Sequence, residues 1–160
     1  MVETVCSLKQ AKGVLAATDK SNKPVWISFS VDDVDGTKLR SGEKLEDVEA
    51  VINNHLVEAV LINCSPPEVV DNALSILSKM GKAFGAYANG FSKISSEFLK
   101  TRPTVDSLTA RKDLGPEEYS NFVTNWIRNG ASIVGGCCEI GPTHISKISQ
   151  KIHKLGYKTL

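Results

Sequence analysis

A chain of 160 residues, 41% hydrophobic and 23% charged, has enough apolar material for one domain with a real core. Its net charge of +1, with lysines spread along the chain and no basic run interleaved with aromatics, gives no case for a nucleic-acid or anionic-membrane partner. No apolar stretch approaches the ~20 residues of a membrane span. Glu3 and Lys9 interrupt anything signal-like at the N-terminus, so the expected location is the cytoplasm.

The predicted elements alternate between helix and strand. Met1-Val2-Glu3-Thr4 reads as the tail of a strand. Ser7 to Thr18 reads as a helix, with Leu8, Ala11 and Leu15 at helical spacing. Val25 to Val31 is rich in β-branched and aromatic residues and reads as a strand. A polar loop then leads to a helix over roughly Lys44 to His55. Ala59-Val60-Leu61-Ile62-Asn63-Cys64 is a nearly continuous apolar run, as expected for a strand covered on both faces. Ser65-Pro66-Pro67-Glu68 predicts a capped helix start with Pro66 at the first position, running to Met80 and ending at Gly81.

Ala83 to Gly90 reads as the next strand. A loop of about 25 residues follows, carrying Arg102-Pro103 and Leu114-Gly115-Pro116; loops of that length are often functional lids. Pro116 opens a helix to about Asn129, with Gly130 as its cap. Ser132 to Gly136 is the last predicted strand, and Gly141-Pro142-Thr143-His144 opens a helix to about Leu155. Four strands alternating with helices through short connections imply an α/β fold with a parallel sheet, about half of a TIM barrel, which takes ~250 residues.

Four cysteines in a reducing compartment point to metal ligands, catalytic thiols or core residues rather than a disulfide framework. Cys64 and the pair Cys137-Cys138 each end a predicted strand, and a parallel sheet gathers its chemistry at those ends. Three thiolates there would suit zinc with its fourth position open. Neighbouring side chains alternate along a strand, so the pair can face one ion only if the backbone turns; Gly135 and Gly136 are expected to permit it. Small buried hydrophobes and a redox pair are the other readings of these residues.

Further residues are weighed by type and place. His144, in the first turn of a helix, reads as structural despite lying near the cysteine pair. Asn63 and Asn89 end strands and could orient ligands or satisfy loop backbone. Trp26 and Trp126 read as core. Asp32, Asp33 and Asp35 lack the spacing of a calcium loop and read as a solvated turn.

Glu3-Thr4-Val5, Trp26-Ile27-Ser28-Phe29-Ser30, Leu45-Glu46-Asp47, Asn63 to Glu68, Gly135-Gly136-Cys137-Cys138 and Pro142-Thr143-His144-Ile145 together resemble the homocysteine S-methyltransferases. The resemblance covers essentially the whole chain, in the family's order. It implies the C-terminal half of a TIM (β/α)8 barrel, residues 1–160 forming a partial homocysteine-binding domain. It implies zinc (Zn2+) held by Cys64, Cys137 and Cys138, and Glu3 contacting the amino group of homocysteine. The implied activity is methyl transfer to the homocysteine thiol, giving methionine, from S-methylmethionine or S-adenosylmethionine. The implied partners are those small molecules, with no nucleic acid and no membrane.

The chain departs from the family in length. Members carry earlier barrel strands with a glycine-rich substrate segment and an acidic residue, and nothing here matches them. Self-association, completion by another chain, or a truncated non-catalytic zinc-binding remnant are therefore also expected. Cys6 falls where many relatives have proline and carries no expected function.

Overall fold

Each strand of this chain pairs in parallel with its neighbour in sequence, so the sheet order is simply the chain order. The computed structural model describes residues 1–21, 23–53, 55–92 and 108–159. The elements are β1 (Val2–Val5), α1 (Leu8–Thr18), β2 (Val25–Phe29), α2 (Val48–Ile52, after a 3-10 turn at Leu45–Asp47), β3 (Val57–Asn63), α3 (Pro67–Leu77), β4 (Ala83–Tyr87), α4 (Pro116–Arg128), β5 (Ile133–Val134) and α5 (Pro142–Lys154). Much of the long predicted loop, including Arg102-Pro103, lies outside the described residues.

Among the described residues, five strands form where four full ones were expected. The N-terminal tail is itself a paired strand, with Val2 opposite Ile27 and Val5 opposite Phe29. Cys64 therefore follows the third strand and Cys137 the fifth. Several boundaries also differ. The helix expected over Lys44 to His55 is a 3-10 turn and a short α-helix, and α3 starts at Pro67 with Pro66 as its N-cap. Ser65 does not cap α3. Its hydroxyl accepts from the Val31 N–H at 3.0 Å, while Glu68 pairs with Arg111. A long-range bond thus replaces the local capping box.

Alternate strand residues and one stripe of each helix make the core. Ile27 and Phe29 of β2 and Val60 and Ile62 of β3 pack with Leu15, Leu74, Leu77, Val123, Trp126 and Ile152. Right-handed crossovers between neighbouring parallel strands put these helices on one face of the sheet. The other face carries Trp26 beside Ala59 and Ala83, Ser28 beside Leu61 and Gly85, and Asn63 beside Tyr87. Trp26, expected in the core, is 39% exposed because it sits on this open face; Trp126 is fully buried, as expected. Gly85 belongs there for lack of room, since a Cβ would fall 1.7 Å from the Ile133 carbonyl oxygen.

Candidate metal centre

The carboxyl ends of β3 and β5 deliver the three thiols to one place. Cys64 Sγ lies 4.0 Å from Cys138 Sγ, and Cys137 Sγ lies 3.8 Å from Cys138 Sγ. All three sulfurs fall within 4.8 Å of one another. A tetrahedral zinc with Zn–S bonds of ~2.3 Å needs sulfur–sulfur edges of roughly 3.8 Å, so the donor set and its spacing fit that ion. Cys64 and Cys137 are half-buried and Cys138 is exposed, which leaves one side of the cluster open.

The backbone makes the convergence. The Cys64 N–H donates to the Tyr87 carbonyl at 3.3 Å, and the Cys137 N–H donates to the Ala88 carbonyl at 2.9 Å. The Cys138 carbonyl accepts from the Gly90 N–H at 2.9 Å. Cys64 takes a left-handed φ of 51°, sparsely populated for a residue with a Cβ. Gly135 and Gly136 do not supply the turn expected of them, since neither has a positive φ. Glu139 does, with φ 66°, in a turn closed from the Ile140 N–H to the Cys137 carbonyl at 3.1 Å. Gly136 is needed for close approach instead: a Cβ would sit 2.1 Å from Ile140 Cγ2.

The thiols share charge unequally. The neighbouring Cys64 thiol is the main reason that the Cys137 pKa is lowered to about 6, and Cys138 and the Asn63 side chain add to it. The same pairing, together with burial, pushes Cys64 up. Burial and the Cys137 charge push Cys138 up.

Side chains around the cluster are fixed by long-range bonds. Asn63 Oδ1 accepts from the Thr4 N–H at 3.0 Å and the Ser28 hydroxyl at 2.7 Å, and its Nδ2 donates to Thr4 Oγ1 at 2.9 Å. One amide thus joins β1, β2 and β3 beside the cysteine. Asn89 is buried and accepts from the Phe91 N–H; among the described residues its Nδ2 has no hydrogen-bond partner. His144 Nδ1 accepts from the Gly141 N–H at 3.3 Å and Nε2 lies 3.2 Å from the Leu114 carbonyl. A tautomer with the proton on Nε2 satisfies both, so His144 is structural, as expected.

Glu3 is exposed on β1, and its Oε1 accepts from the Tyr87 hydroxyl at 2.9 Å. Burial first, then this bond and the nearby Cys137 charge, push the Tyr87 pKa upward, although the Ser28 side chain works against them. Sequence reasoning missed Tyr87, which ends a strand on the same face as Asn63. It also missed Tyr119, whose buried hydroxyl donates to the Gly135 carbonyl at 2.8 Å and reaches that of Ala88 at 3.2 Å. The aspartates are not a solvated turn throughout. Asp32 caps the Val34 and Asp35 N–H groups, and Asp33 pairs with Arg40.

The family follows from comparison with known proteins. A family model described as homocysteine S-methyltransferase matches residues 1–152, and the chain belongs to that family. It is 31% identical over 147 residues to homocysteine S-methyltransferase 1 of Arabidopsis thaliana, covering 91% of this chain and 42% of that protein. It is 28% identical over 144 residues to a selenocysteine methyltransferase of Astragalus bisulcatus, covering 87% and 39%. Among solved structures, the metallated form of the homocysteine methyltransferase MmuM from Escherichia coli superposes with a TM-score of 0.68 at 21% identity, covering 91% and 42%. The apo form gives 0.67 at 22% identity, covering 93% and 47%. The fold is therefore that of about half a TIM barrel, and the chain spans less than half the length of these relatives. Among the described residues, no helix is long and apolar enough to cross a membrane.

Proposed function

We propose that this chain holds zinc through Cys64, Cys137 and Cys138 and takes part in methyl transfer to the thiol of homocysteine. The observation that carries the reading is the convergence of three thiols, within 4.8 Å, at the carboxyl ends of two strands. Bound there, zinc would supply a Lewis acid that makes the acceptor thiol a thiolate at neutral pH. Cys137, already low in pKa, offers a first ligand without losing a proton at pH 7.

In this reading Glu3 holds the ammonium of the amino acid, supported by the Tyr87 hydroxyl, which donates to its carboxylate. The acceptor sulfur attacks the methyl carbon of a sulfonium donor, S-methylmethionine or S-adenosylmethionine, in line. The new S–C bond forms as the donor's S–C bond breaks, and a neutral thioether leaves. No side chain need take a proton in that step.

Names of relatives support both a sulfur and a selenium acceptor; we favour homocysteine, which gives methionine. A reducing compartment such as the cytoplasm would keep the four cysteines free. Self-association, or pairing with another polypeptide through the sheet face that bears Trp26, goes with the reading. A second reading is that this chain holds zinc without turnover.

The test is zinc per chain on reduced, size-fractionated protein, followed by methyl transfer from each sulfonium donor. Near-stoichiometric zinc, lost in Cys64→Ser and Cys137→Ser, together with methionine formation is expected. Zinc without turnover would leave the second reading, and folded protein with no zinc would sink both.

A further inference from the structure

Cys64 has to hold an unfavourable backbone conformation to aim its sulfur at the other two, and one side chain grips it there. Its φ of 51° is unfavourable for a residue with a Cβ, so something must determine it from outside. The Cys64 carbonyl accepts from Arg40 Nη2 at 2.9 Å. Arg40 reaches it from the segment between β2 and α2, 24 residues earlier in the chain.

The guanidinium is itself held. Arg40 Nη2 lies 2.7 Å from Asp33 Oδ1, and the two side chains are only 18% and 8% exposed. The Arg40 backbone N–H donates to the Ser30 carbonyl at 3.2 Å, and the next residue's N–H donates to the Cys6 carbonyl at 3.1 Å. A planar fork locked by a shielded carboxylate loses little freedom in making its further bond. Its charge is also of the right sign, because three thiolates around a divalent cation leave a net negative centre.

We propose that Arg40, anchored by Asp33, is a positioning residue for the metal centre, holding the left-handed turn at Cys64 so that its thiolate meets those of Cys137 and Cys138. This rests on the zinc reading above. Arg40 touches neither metal nor substrate. Its effect passes through the Cys64 carbonyl, in the way partners of ligands commonly tune metal affinity by about 10- to 100-fold.

The test is zinc affinity by chelator competition, with Co2+ absorption as a count of bound thiolates, on the wild-type chain, Arg40→Met, Arg40→Lys and Asp33→Asn. Arg40→Met should weaken zinc by about 10- to 100-fold and lower the thiolate-to-cobalt band towards that of a two-thiolate site. Arg40→Lys should recover only part, since its flexible ammonium is not held in the plane from which Arg40 Nη2 meets both the Asp33 carboxylate and the Cys64 carbonyl. Asp33→Asn should fall between. A role in stability alone would lower the unfolding midpoint of the metal-free protein and leave the cobalt spectrum unchanged. Zinc affinity within twofold of wild type and an unaltered cobalt band in Arg40→Met overturn the proposal. If that variant does not fold, the same result in Arg40→Lys and Asp33→Asn overturns it. A wild-type chain that binds no zinc fails the zinc reading first and this proposal with it.

Discussion

The hydroxyl of Tyr87, at the end of β4, donates to the carboxylate of Glu3 on β1 at 2.9 Å, across the open face of the sheet. If Glu3 holds the substrate ammonium, its carboxylate must be aimed, and this bond aims it. Tyr87→Phe should weaken homocysteine binding to the zinc-loaded chain about fivefold, equivalent to ~1 kcal/mol. Glu3→Gln, which removes the charge, should cost on the order of tenfold or more. Calorimetric titration reads both. Unchanged affinity in Glu3→Gln would remove the residue from the site.

Asn63 is the knot that ties the first three strands together beside Cys64. Replacing it by alanine removes the acceptor shared by the buried Ser28 hydroxyl and the Thr4 N–H. A loss of about 2 kcal/mol is expected in urea unfolding of the metal-free protein. Zinc affinity should fall as well, because the strand end that carries Cys64 loosens. A stability change under about 0.5 kcal/mol would contradict this role.

Cys137 should be the first thiol to react when metal is absent. With its pKa lowered to about 6 and those of Cys6, Cys64 and Cys138 raised, it is mostly thiolate at about pH 7 while the others are not. Iodoacetamide under reducing conditions, followed by peptide mapping, should label Cys137 before Cys6. Its rate should drop as pH falls through about 6. Bound zinc should protect it. Equal labelling of all four would refute the charge distribution described above.

Glu117 joins α4 to α5 through Lys147 and Lys151, and these bonds hold its pKa at about 2, below the ordinary 4.5. A depressed carboxylate contributes stability above its unfolded value and loses it as pH falls through the folded one. The stability gap between wild type and Glu117→Gln should therefore be full above about pH 4.5 and close towards pH 2. Salt should narrow it, since the carboxylate is exposed. A gap that does not change with pH would show that the substitution acts by some other route.

Helix and strand alternation and the parallel sheet were legible in the chain, because period and apolar runs are local properties, while the cysteine triad was read from predicted strand ends and from the family resemblance. Leu15 and Trp126 fall at core positions for the same reason. Tertiary structure alone decided the rest. Trp26 is exposed because of the face it occupies, which residue type cannot tell. Ser65 abandoned a local cap for Val31, 34 residues away. The partners that aim the site, Arg40 for Cys64, Tyr87 for Glu3 and Asn63 for Thr4, are 24, 84 and 59 residues apart. Hydrogen bonds of that reach leave no periodic trace in a sequence, since they depend on which strand ends the folded sheet brings near one another.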